Sequence, residues 1–199
     1  MACLHKFHDD LNLNYVDWEV RTLFIGTFNP GWPECANNTA EWFYGRTSRN
    51  AFWCILPKCH NHPSLLNGNR GVWIDFCSQY GLAITDIITE LNTANPNNLV
   101  HQNRICSFKD EYLNQFQPVL TNIPRLLEKH PTINRIFITR KVMTNDMQTW
   151  LIPTMNWIQA NPQRDIRLIN LRSPSRGARR GIVGDFCETV KNIWIGQGY

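Results

Sequence analysis

Several signatures that would place a protein at once are missing from these 199 residues. No apolar run approaches the ~20 residues of a membrane-crossing helix, so no membrane partner is expected. No internal repeat recurs and no low-complexity tract interrupts the chain, which sets aside solenoids and disordered segments. Gly-rich phosphate loops of the Walker or dinucleotide type are also absent. Charge of one sign is scarce: 20 Lys and Arg against 16 Asp and Glu leave a net +4, spread along the chain, which favours an anionic partner only weakly. Nothing at the N-terminus reads as a secretory leader, and the seven cysteines, at 3, 35, 54, 59, 77, 106 and 187, are odd in number. Free thiols in a reduced, cytoplasmic setting are therefore expected. Cys59-His60-Asn61-His62 carries metal-ligand chemistry, but no second spaced ligand pair completes a tetrahedral set, so no metal is expected there.

What remains reads as one globular domain over residues 1–199. Apolar residues make up 43% and charged residues 18%, enough to bury a core, and eight Trp and ten Phe enrich it. The chain is organised around Thr22-Leu23-Phe24-Ile25-Gly26-Thr27-Phe28-Asn29-Pro30-Gly31. Its apolar first half suits a strand buried on both faces, and Pro30-Gly31 forbids the strand from continuing. Asn29 thus stands where an α/β sheet gathers its ligands, though an Asn there also suits a simple turn.

Two further stretches carry chemistry. In Glu41–Leu56, Trp42, Phe43, Tyr44, Phe52 and Trp53 crowd around Arg46 and Arg49. Ser48 is expected to cap a helix beginning near Arg49. The aromatics could be core, or could stack a flat nucleobase beside the basic pair. In Arg172–Gly181, four Arg sit on a Ser173-Pro174-Ser175 scaffold directly after an apolar strand. Such a loop is either a solvated surface or a phosphate contact.

Periodicity predicts the other elements. A helix should end at Gly81, followed by a buried strand over 82–88 in which Asp86 must find partners and supports neighbouring loops. Residues 92–107 read as an Asn-rich loop, and 110–130 as an amphipathic helix kinked at Pro118 and Pro124. A strand near 133–139, a helix over 144–160 broken at Pro153, a strand at 166–171 and a final helix near 184–195 complete the chain. The alternation predicts a three-layer α/β/α sandwich around a short, mostly parallel sheet, with all three stretches at one sheet edge.

At this point the sequence resembles the uracil-DNA glycosylase superfamily. Gly26-Thr27-Phe28-Asn29-Pro30-Gly31 looks like the first motif of its mismatch-specific branch. Phe43-Tyr44-Gly45 with Arg49-Asn50-Ala51-Phe52-Trp53 is similar to the aromatic block of the mismatch-specific and hypoxanthine branches. Gly81–Ile87 looks like their next strand, and Leu171-Arg172-Ser173-Pro174-Ser175 resembles their last motif. Three departures stand out: Ser173 replaces the His of the most efficient uracil-removing branch, the cysteine spacing does not match the iron–sulfur branches, and Arg140 sits roughly where one branch has a base-reading Asn, so base choice is not carried over.

The resemblance implies a monomeric, cofactor-free DNA glycosylase of base excision repair that flips a damaged or deaminated base and hydrolyses its N-glycosidic bond. Asn29, and second Asn50, would position the attacking water. Tyr44 or Phe52 would stack on the base, and Gly26, Thr27 and Phe28 would line its pocket. Arg49, Ser173, Pro174, Ser175, Arg179 and Arg180 would hold the DNA, with Arg176 filling the gap left in the duplex. A non-catalytic DNA- or nucleotide-binding module and a small-molecule nucleosidase are the competing readings.

Overall fold

Thr22-Leu23-Phe24-Ile25-Gly26 offers no polar face to solvent, and it becomes a strand buried along its whole length. The computed structural model describes residues 2–199. In chain order the elements are β1 (Cys3–Leu4), β2 (Thr22–Gly26), α1 (Phe52–Cys59), α2 (Arg70–Tyr80), β3 (Leu82–Asp86), β4 (Ile88–Leu91) and α3 (Leu99–Ile105). Then follow β5 (Pro118–Leu120), α4 (Ile123–Lys129), β6 (Arg135–Ile138), α5 (Asn145–Ala160), β7 (Arg167–Asn170) and α6 (Phe186–Gly196).

The central sheet has the order β3-β2-β6-β7, and every pairing in it is parallel. The pleat sends alternate side chains to opposite faces. Leu23, Ile25, Ala83, Ile136 and Ile138 enter one core with Leu126 and Leu127 of α4 and Met147, Trp150 and Leu151 of α5. Phe24, Leu82, Ile84 and Phe137 enter the other, against Phe52 and Trp53 of α1, Phe76 of α2 and Trp194 of α6. The expected three-layer architecture is therefore present.

Several local expectations are corrected. The helix read from Arg49 starts at Phe52, because Asn50 is drawn into an extended bridge with Ser175. Within the expected loop 92–107, Asn98 accepts from the Val100 and His101 N–H groups and so starts α3. The helix expected over 110–130 is divided: Gln117 turns left-handed, Pro118 opens β5, and α4 begins only after Asn122 caps it, with Pro124 in its first turn. The buried run after Gly81 also divides, since Ile88–Leu91 leaves the central sheet for a second, antiparallel one of order β1-β4-β5. Pro153 does not break α5, whose Met147, Trp150, Leu151 and Thr154 are all buried along one helix.

Free thiols are found at Cys3, Cys59 and Cys77, but Cys35 is disulfide-bonded to Cys106 and Cys54 to Cys187. The second bond pins α1 to α6; the first joins the loop after β2 to the residue following α3. Burial pushes the Cys3 and Cys59 thiols up to about 12. His60 of the Cys-His-Asn-His stretch is hydrogen-bonded to the Tyr199 hydroxyl at 2.6 Å. Among the described residues no helix is long and apolar enough to cross a membrane.

Candidate active site

β2 connects on one side to β3 and on the other to β6, so the strand order reverses beside it. Ligand crevices form at such a point, outside the carboxyl ends of the strands. There the protein has a cavity of about 500 Å³. Gly26 lines it from the end of β2 and Thr27, Phe28 and Asn29 from the loop after it, Asp86 from the end of β3, Thr139 and Arg140 from just past β6, and Ser173, Pro174 and Ser175 from the loop after β7. Tyr44, Arg46, Arg49 and Asn50 form one wall, and Phe108 to Glu111 the wall opposite. Most of the residues singled out in the sequence thus meet in one place. Arg176, Arg179 and Arg180 do not line the cavity and lie on or next to the short 3-10 turn that follows Ser175.

Phe52 is corrected as a stacking residue. It has no exposed surface and lies behind Tyr44, ring on ring, with centroids 4.0 Å apart and planes 10° from parallel. Tyr44 is left to present the aromatic surface. Its backbone is left-handed (φ 56°), a conformation that costs a residue with a side chain about 1–3 kcal/mol and persists only where its surroundings impose it. Here the Phe52 stack and a 3.0 Å hydrogen bond between the Tyr44 and Thr139 hydroxyls hold it. Burial, and then the nearby Asp86 charge, raise the Tyr44 phenol well above its ordinary range, so it remains a neutral hydroxyl.

Asn29 is nearly buried, and its orientation follows from its neighbour. The Asn38 amide nitrogen donates to the Pro30 carbonyl at 2.8 Å and to Asn29 Oδ1 at 2.7 Å. A carbonyl only accepts, so the Asn38 donor is fixed there and Asn29 must turn its oxygen toward it. Asn29 Nδ2 makes no hydrogen bond with the described residues and is left for the cavity that Asn29 lines. The Thr27 and Phe28 N–H groups are likewise unused by the described residues. Asn50 is more committed: its Oδ1 accepts the Phe52 N–H at 2.9 Å and closes the turn into α1. Asn50→Ala should therefore lower stability by about 1 kcal/mol, read as a shifted urea midpoint, whatever it does to activity.

In the last loop, Ser173 Oγ accepts the Ser175 N–H and Ser175 Oγ accepts the Gly177 N–H. Each hydroxyl proton is left to donate outward, which suits an anionic oxygen. The wall from Phe108 to Glu111 escaped the sequence reading, because Phe108 and Lys109 fell between two predicted stretches and Asp110 and Glu111 at the start of one read as a helix. Asp110 binds the Arg140 guanidinium and the Thr27 hydroxyl, and burial raises its carboxyl above the ordinary range against the pull of Arg140. Arg46 stacks its guanidinium 3.4 Å from the centroid of the Phe108 ring, bridging the two walls. Burial, and then Arg49, lower the Arg46 pKa. Asp86 closes the floor, bonded at 2.7 Å to His5.

No protein-family model matches the sequence, and no curated protein matches it. Among solved structures, the fold is similar to the solution NMR structure of a candidate uracil DNA glycosylase from Methanosarcina acetivorans. The two share 13% identity and a TM-score of 0.50, over 92% of this chain and 94% of that one. The fold of this chain is therefore uracil-DNA-glycosylase-like, a parallel four-stranded sheet flanked by helices.

Proposed function

We propose that the protein is a monofunctional DNA glycosylase that takes a flipped base into the cavity and hydrolyses its N-glycosidic bond. The observation that carries this reading is the convergence of Asn29, Tyr44 and Ser173–Ser175 on one cavity of about 500 Å³ at the carboxyl edge of the sheet. The volume suits a nucleobase with its sugar. Tyr44 stacks on the base, and the free Thr27 and Phe28 N–H groups meet its carbonyl oxygens as charge develops on them. Asn29 orients water at the sugar. The serine hydroxyls hold the flanking phosphates, while Arg176 fills the stack that the base has left.

The test is incubation with oligonucleotides carrying uracil, hypoxanthine, xanthine or a G·T mismatch, scored for abasic sites. Release of at least one base is expected. Binding without release from any substrate would favour the non-catalytic module instead.

The Arg-rich loop has its own test. Arg179 stands 5.5 Å over the Phe186 ring, which leaves its charge facing outward beside Arg180. Replacing both by Ala should weaken binding to all sequences alike and flatten the slope of log affinity against log salt by about 0.9 for each lost phosphate contact. Anisotropy titrations at several salt concentrations measure it. Equal slopes would return the loop to a solvated surface.

A further inference from the structure

We propose that Asp86 is a catalytic residue of this cleft: it takes the proton of the water that attacks the sugar, with His5 as its positioning residue. The inference rests on the glycosylase reading above.

Asp86 is the last residue of β3, level with Gly26 of β2, and is only 6% exposed. Gly26 is what lets it sit there. A Cβ on Gly26 would lie 2.1 Å from Asp86 Oδ1, so the carboxylate rests against the bare backbone of the neighbouring strand. The other oxygen, Oδ2, is 2.7 Å from His5 Nε2. His5 Nδ1 accepts the Phe7 N–H at 2.9 Å and so carries no proton. The proton is therefore on Nε2, and a neutral imidazole donates it to Asp86. Oδ1 makes no hydrogen bond within the described residues and is left to the cavity that Asp86 lines. A carboxylate held at one oxygen by a neutral donor has the other oxygen left to accept a hydrogen bond from the cavity side.

The other cavity groups are less suited. Asp110 is tied to the Arg140 cation, and Glu111 is 62% exposed beside Lys109. Asn29 and Asn50 are amides, able to orient water but too weakly basic to accept its proton. The division of labour is then plain. Asn29 orients the water, and its oxygen bonds to the anomeric carbon as the carbon–nitrogen bond breaks. The electron pair of that bond leaves with the base, which takes a proton from solvent. The water's proton goes to Asp86 Oδ1, and the carboxylate charge also faces the cationic sugar of the transition state.

The experiment measures single-turnover base release by the full chain on the best substrate of the oligonucleotide panel. Binding is measured separately, to the same DNA bearing a 2′-fluoro nucleotide that resists cleavage. Asp86→Asn keeps the shape and still accepts from His5. It should slow release by at least ~10²-fold, the usual reach of a general base, with unchanged affinity for the fluorinated DNA. In Asp86→Ala, added formate should restore part of the rate, an effect that a merely structural carboxylate would not show. Release by Asp86→Asn at the wild-type rate would overturn the proposal. His5→Ala should slow release, and His5→Gln, which can both donate and accept, should recover it. His5→Ala at the wild-type rate would overturn the positioning role, and this arm leaves Asp86 in place should the Asp86 variants not fold. A wild type that releases no base from any substrate overturns the glycosylase reading itself, whereas an active wild type with an equally active Asp86→Asn overturns only this inference.

Discussion

Asn29→Ala is expected to lower the rate of base release by ~10²–10³ while DNA binding stays close to wild type, the usual cost of losing one fixed polar group at a reacting centre. Three features of the structure set this expectation. Asn29 lies just past the carboxyl end of β2 and lines the cavity. Its amide cannot rotate freely, because Asn38 holds Oδ1 at 2.7 Å. Its nitrogen and the second lone pair of its oxygen are left for a water. Being fixed before the substrate arrives, the amide spends no reorganisation in the reaction, which is why its loss falls on rate more than on affinity. Single-turnover release and anisotropy binding on the same oligonucleotide separate the two quantities. Unchanged release would exclude Asn29 as the residue that orients water. If Asn29→Ala and Asp86→Asn together are no slower than the worse single variant, the two act on one water.

Gly26→Ala is expected to be nearly as damaging to activity and also to cost stability. The added methyl would stand 2.1 Å from Asp86 Oδ1 and 3.0 Å from the Tyr44 hydroxyl. Asp86 is short and held at its other oxygen by His5, so it can yield only by turning away and breaking that bond. Overpacking of this kind costs about 1–3 kcal/mol. Turning Asp86 would remove the proton acceptor and disturb Tyr44 together, so release should fall by ~10² or more, the general-base contribution alone. Urea unfolding and single-turnover release measure the two effects. A Gly26→Ala protein of wild-type stability and rate would show that the floor of the cavity is looser than these contacts imply.

Much of this was legible in local pattern. The runs at 22–26 and 82–86 are strands buried along their whole length, and those at 135–138 and 167–170 carry the same short apolar core behind a leading Arg. Gly81 ends α2 in the left-handed conformation that glycine adopts at least cost. Asn29, Tyr44 and Ser173–Ser175 could be placed at the cleft, since each follows an apolar run or stands in a dense aromatic cluster. Other features left no local trace. Phe52 and Tyr44 are equally aromatic, and only packing on Phe24 and Trp194 made one of them core and the other wall. Asp86 could be recognised as a buried acid needing partners, but its partner His5 lies 81 residues away.

By itself, the sequence determined the four central strands, their parallel arrangement between helices and the carboxyl edge at which Asn29, Tyr44 and Ser173–Ser175 gather, because these follow from where apolar side chains recur over a few residues. Tertiary structure alone decided the second sheet, the Cys35–Cys106 and Cys54–Cys187 pairs, and the wall from Phe108 to Glu111. It also decided that Asn50 would close the turn into α1 while Asn29 kept an amide nitrogen that no described residue uses. Each depends on which distant groups compete for the same hydrogen bond or the same buried volume. Periodicity carries no record of that competition, which is resolved only when the chain has closed on itself.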